Sequence, residues 1–509
     1  MVGELMLPSR SSNTARLTLR KSNKRSCLFL LLSEGSLLPD SARMESLRSQ
    51  GRLNNSNFRR GPAGHSAAAP EPLAPGLAAR IAAAQILADT LTMGRPLEER
   101  FSGESAHSRL GGLDARDRAL TRSIATVSLR RLGTIRKTLA RFLDKGLPKK
   151  AGGLEWTLIV AVAQILFLDA PDHAAVDLAV RAARAEPAAA PFAALANGVL
   201  RNIARERQEI LASSDALDDD TPAWLAARWR ANYGAATARA IALANRDEPT
   251  LDLSVKSDAE GWARRLGGIV LPTGSVRLES HVAIPDLEGY DEGEWWVQDA
   301  AAALPARLLR ASSGMRVVDL CAAPGGKSAE IALTGAHLTA VDRSAERLKR
   351  LAVNFERLRL EAEIAVADVL SFEAPPFDAV LLDALCTATG TIRRHPDVAW
   401  TKRLGDLAPL VALQSLLLDK AVALTKPGGL IVYCTCSLEP EEGEAHIGAL
   451  LRRNPDVRRV PIEADEIGGL TECVSPAGDL RTLPCHLRGP SPRLSGLDGF
   501  FAARLQRRK

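Results

Sequence analysis

The apolar and polar positions divide the chain into three parts: an unpatterned start, a helical stretch, and a stretch where short apolar runs alternate with helices. Residues 1–75 are rich in Ser, Arg, Asn, Pro and Gly with no sustained period, which predicts a disordered basic tail. Over 76–205 the period is helical. Ile81, Ile86, Leu87 and Leu91 share one face, and Ile124, Val127, Leu132, Ile135, Leu139 and Phe142 form a second stripe. Trp156 to Leu168 is apolar throughout, and Ala193 to Ile203 closes the set. Residues 206–220 are polar, end in Asp218–Asp220 and read as a linker. Residues 221–300 read as a small α/β module. In it Trp224 and Trp229 anchor a short amphipathic helix, residues 249–257 form a strand, and residues 296–304 lead into a helix.

From 301 to 509 the period changes. Short runs at 317–320, 338–341, 364–368, 378–383, 429–434 and 498–504 read as strands, with helical stretches between them. That alternation predicts a Rossmann-like, mostly parallel α/β sheet behind an all-α domain, with ligands at the carboxyl edge of the strands. The first strand runs into Cys321, Ala322, Ala323, Pro324, Gly325, Gly326 and Lys327. Glycines there let backbone N–H groups and the positive end of the next helix approach a ligand. Asp342 closes the second strand, where doubly wound sheets place the acid that accepts hydrogen bonds from a ribose. Asp368 closes the third strand, beside the expected adenine, and Asp383 the fourth. A lone strand-end Asp is usually a cap or turn residue. Three in consecutive strands behind a glycine turn outline a nucleoside-shaped site. GGKS at 325–328 mimics the end of a phosphate-binding P-loop, but that motif needs Gly at position 321, which is Cys321.

With 509 residues, 46% hydrophobic and 25% charged, the chain has the composition of a multidomain globular protein. The net charge of +6 belongs to the tail. Residues 1–75 hold 11 Lys and Arg against 5 Asp and Glu, and the remainder balances at 55 of each. Charge therefore points to nucleic acid only locally. Nine basic residues lie between 122 and 150, among them Arg130, Arg131, Arg136 and Lys137, with Asp144 the one acid. Most such runs are solvated helix faces, but this density also suits phosphates. The seven cysteines have neither disulfide-framework nor zinc spacing and read as reduced thiols of a cytoplasmic protein. No run approaches membrane-spanning length, and the patch Cys27–Leu32 is too short for a secretory segment. No metal, membrane or obligate protein partner is expected.

Several motifs match known families. LDARDRAL at 113–120, the apolar helix at 156–168 and ANGVLRNI at 196–203 resemble the NusB-like RNA-binding fold. CAAPGGK at 321–327, TGTIRRHPD at 389–397 behind Cys386, and TCS at 435–437 followed by acids resemble the RNA 5-methylcytosine methyltransferases of the RsmB, Nop-two and Sun family. The likeness covers roughly 220–509, and the domain order resembles the bacterial type that methylates small-subunit ribosomal RNA.

The resemblance implies S-adenosyl-L-methionine as cofactor, RNA as partner and chemistry on two thiols. Carbon 5 of cytosine is too weak a nucleophile for a methyl sulfonium until a thiolate has added to carbon 6. By resemblance Cys436 is that nucleophile, Cys386 assists product release, and Asp383 meets the base edge and borders the methyl donor. Lys327 would lower a thiol pKa or meet RNA, and Arg393, Arg394 and His395 would touch phosphates near a base taken out of its stack. Without the motifs, either cysteine would read as inert packing. The family usually has Asp-Ala-Pro-Cys-Ser-Gly around the second thiol, and here Leu385, Thr387 and Ala388 replace Pro, Ser and Gly. Leu385 removes a φ restraint and Ala388 excludes glycine-only conformations. Slower release is one expected consequence. Alternative readings are a non-catalytic RNA-binding or ribosome-assembly factor, and a transfer-RNA methyltransferase of the same chemistry.

Overall fold

A computed structural model of the chain describes residues 74–101, 110–279 and 283–509, together with the two-residue strand β1 (Arg16–Leu17). The expected disorder of 1–75 otherwise falls outside the described residues.

The helices Leu77–Met93, Ala115–Arg130, Leu132–Phe142, Leu154–Phe167, Asp172–Ala185 and Ala193–Arg205 bury one core. Leu154–Phe167 is apolar all round because the others surround it, and Leu158, Ile159, Val162 and Ile165 are fully buried. Asp114 caps Ala115–Arg130, accepting from the Asp117 N–H at 2.7 Å. Residues 206–220, read above as a linker, are ordered against the bundle. They hold the helix Arg207–Ala212 and an acidic segment bound back onto the bundle. Asp220 pairs with Arg131 at 3.0 Å and Arg246 at 2.7 Å and accepts from the Thr134 N–H, while Asp219 pairs with Lys137 at 2.9 Å. The next helix, Ala223–Arg246, is longer than the short one expected and bends at Gly234, whose φ is 79°. Trp229 is buried in it as an anchor.

A small antiparallel sheet follows, in the order β3 (Gly268–Val270), β4 (Val276–Leu278), β2 (Asp252–Val255), β5 (Trp295–Val297). The main sheet then uses β6 (Arg316–Leu320), β7 (His337–Asp342), β8 (Glu363–Val366), β9 (Phe377–Asp383), β10 (Thr425–Thr435), β11 (Val457–Arg459), β12 (Leu480–Thr482) and β13 (Phe500–Arg507). Its order is β1-β8-β7-β6-β9-β10-β13-β11, with β12 also on β13. Strands β6 to β10 are parallel and β13 is antiparallel to β10. The order reverses between β6 and β9, which opens a crevice at their carboxyl ends.

Both faces are covered, and this explains the near-continuous apolar runs of β6 and β9. Val317, Ala379, Leu381 and Val432 pack on one side beneath the helices Ala300–Leu308 and Ala345–Leu358. Val318, Leu320, Val380, Leu382 and Ile431 pack on the other with Leu417, Leu418 and Ala421 of the helix Leu407–Leu424. Residues Leu404–Leu424 are, by length and composition, long and apolar enough to cross a membrane, contrary to expectation. Here that helix covers a sheet.

Candidate active site

The turn after β6 is held by its backbone. The Ala322 N–H donates to the Val341 carbonyl at 2.9 Å, and the Ala323 N–H donates to Asp342 Oδ2 at 3.2 Å. Gly325 has φ 105°, and a Cβ there would lie 2.7 Å from Leu351 Cγ, so both conformation and packing require glycine. Cys321 also has positive φ (66°), and burial pushes its thiol up to about 12. Beneath the turn, Ser328 donates to Asp319 Oδ2 at 2.6 Å, and burial pushes that carboxyl up to about 7.

Asp342 is buried at the end of β7, accepts from the Ser344 N–H at 2.9 Å and lies 3.4 Å from Arg347. Asp368 does not close β8 as expected. The strand ends at Val366, and Asp368 sits in the following turn, accepting from the Leu370 N–H at 2.9 Å. Asp383 does end β9. Its Oδ2 accepts from Lys327 at 2.7 Å and its Oδ1 faces Cys434 Sγ at 3.4 Å. Burial alone would lower the Lys327 pKa, but Asp383 outweighs it and holds the ammonium above the ordinary lysine range. The Lys327 ammonium also lies 4.8 Å from the Phe500 ring centroid.

The two thiols expected to react come together. Cys386 Sγ and Cys436 Sγ are 3.5 Å apart, with Cys386 buried and Cys436 half-buried. Their loops are stitched by the Gly390 N–H to the Cys436 carbonyl and the Ala384 N–H to the Cys434 carbonyl, both at 2.9 Å. The hydrogen bond to Cys436 and then burial push the Cys386 thiol well above its usual range, so Cys386 keeps its proton beside the Cys436 sulfur. Cys434 is buried in β10, and burial pushes its thiol well above the usual range.

A cavity of about 250 Å³ at the carboxyl edge is lined by Cys321, Ala323, Asp342, Asp368, Asp383, Leu385, Cys386 and Cys436. It joins the glycine turn, three carboxyls and both thiols. Carboxyls on its wall fit a nucleoside that carries a ribose diol and a cationic sulfonium. The replaced loop is visible here too: Leu385 is 44% exposed and Ala388 has φ 60°, the region glycine favours.

The expected phosphate contacts separate into two groups. Arg393 and Arg394 do not face solvent. Arg394 binds Asp299 at 2.7 Å and Asp252 at 3.1 Å and donates to the Thr250 carbonyl, while Arg393 binds Asp299 at 3.2 Å and donates to the Ser495 carbonyl. They are occupied by interior carboxyls, and the expectation that they touch RNA is corrected. Arg130 is buried and donates to the Asn245 carbonyl; Arg131 pairs with Asp220 and lies 4.2 Å over Phe167. Burial lowers both guanidinium groups to about 10. Arg136, Lys137 and His395 are exposed, although Arg136 lies 3.6 Å from Glu155 and Lys137 pairs with Asp219. Sequence reasoning missed Gln414 and Glu442, buried behind the Cys386 loop. The acids after TCS were the available signal for Glu442, and nothing singled out Gln414.

A doubly wound sheet with this turn and these strand-end acids defines an S-adenosyl-L-methionine-dependent methyltransferase. Residues 306–506 match the family described as 16S rRNA methyltransferase RsmB/F, and residues 77–205 match the NusB family. The chain is 36% identical over 449 residues to the ribosomal RNA small subunit methyltransferase B of Xylella fastidiosa (strain Temecula1), covering 84% of this chain and 98% of that one. It is 33% identical over 444 residues to the protein of the same name from Erwinia tasmaniensis, again 84% and 98%. The crystal structure of PH0851 shares the fold, with TM-score 0.64 and 22% identity over 86% of this chain and 100% of that one. The chain belongs to the ribosomal RNA small subunit methyltransferase B family.

Proposed function

We propose that this enzyme methylates carbon 5 of a cytosine in small-subunit ribosomal RNA through a covalent cysteine–cytosine adduct. The observation that carries the reading is the pair of sulfurs, 3.5 Å apart, on the wall of the cavity that holds Asp342, Asp368 and Asp383. S-adenosyl-L-methionine, when bound, supplies an electrophilic methyl group. In this reading Asp342 meets the ribose, Asp368 the adenine side, and Asp383 the boundary between donor and base.

In this reading the Cys436 sulfur adds to carbon 6, and the electron pair displaced onto the ring makes carbon 5 nucleophilic. After methyl transfer, carbon 5 carries a proton that must leave. The Cys386 thiol is held up first by its bond to Cys436. Adduct formation turns Cys436 into a neutral thioether and removes that restraint. Cys386 can then lose its proton to water and take the carbon 5 proton. That C–H pair restores the 5,6 double bond, and the carbon 6–sulfur pair departs on Cys436.

The test is transfer of labelled methyl to small-subunit ribosomal RNA, with transfer RNA in a parallel arm. Wild type should label ribosomal RNA, Cys436→Ala should not, and Cys386→Ala should trap a protein–RNA adduct. Normal labelling by Cys436→Ala would overturn the mechanism, and labelling of transfer RNA alone would overturn the substrate.

A further inference from the structure

Glu442 has no role in the chemistry above, yet it is fully buried beside it. Its Oε1 accepts from the Thr387 N–H at 3.0 Å and from Gln414 Nε2 at 3.0 Å, and its Oε2 accepts from the Thr387 hydroxyl. Gln414 Nε2 also donates to the Leu385 carbonyl at 2.8 Å. The residues on both sides of Cys386 are therefore gripped by one buried pair. The Thr387 hydroxyl also lies 3.0 Å from the hydroxyl of Ser437, the residue after Cys436. Tyr433 closes the network, its hydroxyl donating to the Glu442 carbonyl at 2.9 Å.

A buried carboxyl is costly unless donors converge on it, and an apolar residue would fill the same space more cheaply. Here every donor comes from the Cys386 loop or from Gln414, which holds that loop. The loop lacks the restraint a proline at 385 would give, and Ala388 occupies a region L-residues disfavour. Something else must fix the sulfur.

We propose that Glu442 is a positioning residue for the release step: with Gln414 it clamps Leu385 and Thr387, and so holds Cys386 where it can take the carbon 5 proton. This rests on the two-thiol reading. Its charge acts on the same group, since it adds to the effects of Cys436 and burial that keep Cys386 protonated before the adduct forms.

Glu442→Gln keeps the volume but replaces one acceptor oxygen with an amide NH2, a donor that faces other donors and leaves one of them unpaired. The experiment follows denaturant-resistant protein–RNA adduct and methyl transfer in wild type, Cys386→Ala, Glu442→Gln and Thr387→Val, with S-adenosylhomocysteine affinity measured in each. Glu442→Gln should bind S-adenosylhomocysteine within about twofold of wild type and accumulate adduct by about tenfold, the scale of one lost charged hydrogen bond. The pH profile of release should move to lower pH as the charge is removed. Thr387→Val removes only the hydroxyl and should act in the same direction, which keeps the test decisive if Glu442→Gln fails to fold. Wild-type release in a folded Glu442→Gln, or in Thr387→Val if the former does not fold, overturns the inference while Cys386→Ala still traps adduct. So does loss of adduct formation and S-adenosylhomocysteine binding together in both variants, because that marks a purely structural role. If Cys386→Ala traps nothing, the two-thiol reading falls and this inference with it.

Discussion

Replacing Arg394 with alanine removes one of three guanidinium groups that face three carboxyls in the interior. Arg277 is paired with Asp252 at 2.7 Å, and Arg393 and Arg394 share Asp299 and approach Asp498 at 3.5 Å. Burial would raise the Asp299 carboxyl, but Arg394 and then Arg393 outweigh it and hold it below the usual carboxylate range. Without Arg394 the cluster carries one uncompensated buried negative charge, a change that costs about 3–5 kcal/mol. For a unit the size of the methyltransferase domain this is a fall in Tm of roughly 10 °C. Asp498 sets the pH dependence, because burial and then Asp299 push it up to about 7. A carboxyl raised above its unfolded pKa contributes stability that is present below about pH 4 and lost as pH rises through about 7. In Arg394→Ala it can take the spare proton near pH 6 at little cost, and each pH unit above 7 makes this dearer by about 1.4 kcal/mol. The deficit against wild type should therefore be larger at pH 8.5 than at pH 6.5. Thermal melts at both values, followed by tryptophan fluorescence, test the stability claim, and RNA affinity against salt concentration tests the alternative. An unchanged melt with a salt slope reduced by about one would make Arg394 a phosphate contact and refute the reasoning.

Ala388→Gly should raise the urea midpoint slightly at constant m, because relief of the left-handed φ, about 1–2 kcal/mol, exceeds the added unfolded-state freedom of about 0.4–1 kcal/mol. Lys327→Met leaves the Asp383 carboxylate without its cation, and should reduce methyl transfer by about tenfold or more while Cys436 alkylation by iodoacetamide persists. Asp319→Asn should lessen, though Asp498 keeps it from vanishing, the loss of stability that wild type shows as pH rises through about 7, read as Tm at pH 6 and pH 8.5; an unchanged slope would mean Asp319 contributes nothing to it.

The parallel sheet was legible because its strands are buried on both faces, and runs such as Val380, Leu381 and Leu382 have few other uses. The glycine turn was legible because Gly325 is required by both φ and packing. The arginines misled for a physical reason. A guanidinium that binds a phosphate and one that binds an interior carboxyl need the same fork of donors, and the partner decides which it does. Arg394 meets Asp299 across 95 residues and Asp252 across 142, separations at which no local pattern signals a contact. The pairing of the acidic stretch 215–220 was hidden in the same way, since its partners Arg131 and Lys137 lie in the basic run read as a nucleic-acid face. Part of that face neutralises the protein's own acids, so its exposed remainder, not its total charge, is what RNA could meet.

The departures at Leu385, Thr387 and Ala388 belong together once the loop is seen in three dimensions. Proline restrains a turn through its own ring, whereas a leucine leaves that task to whatever binds its carbonyl, here Gln414. A serine at 387 would offer the same hydroxyl, so threonine keeps the bonds to Glu442 and Ser437 and adds a methyl group to a site with no exposed area. Alanine at 388 accepts the left-handed conformation at a cost that glycine avoids, and persists there only because the neighbours over-determine the turn. In this chain, with no proline ring at 385, the residues on both sides of Cys386 are held by hydrogen bonds from residues 414 and 442. It follows that the loop should tolerate Leu385→Pro with little change in release, since the ring would only repeat a restraint already present, but should not tolerate that change as a substitute for Glu442. Release that stays slow in the double variant Leu385→Pro, Glu442→Gln, measured by the same adduct assay, would locate the essential restraint in the carboxyl; full rescue by proline would locate it in the backbone alone.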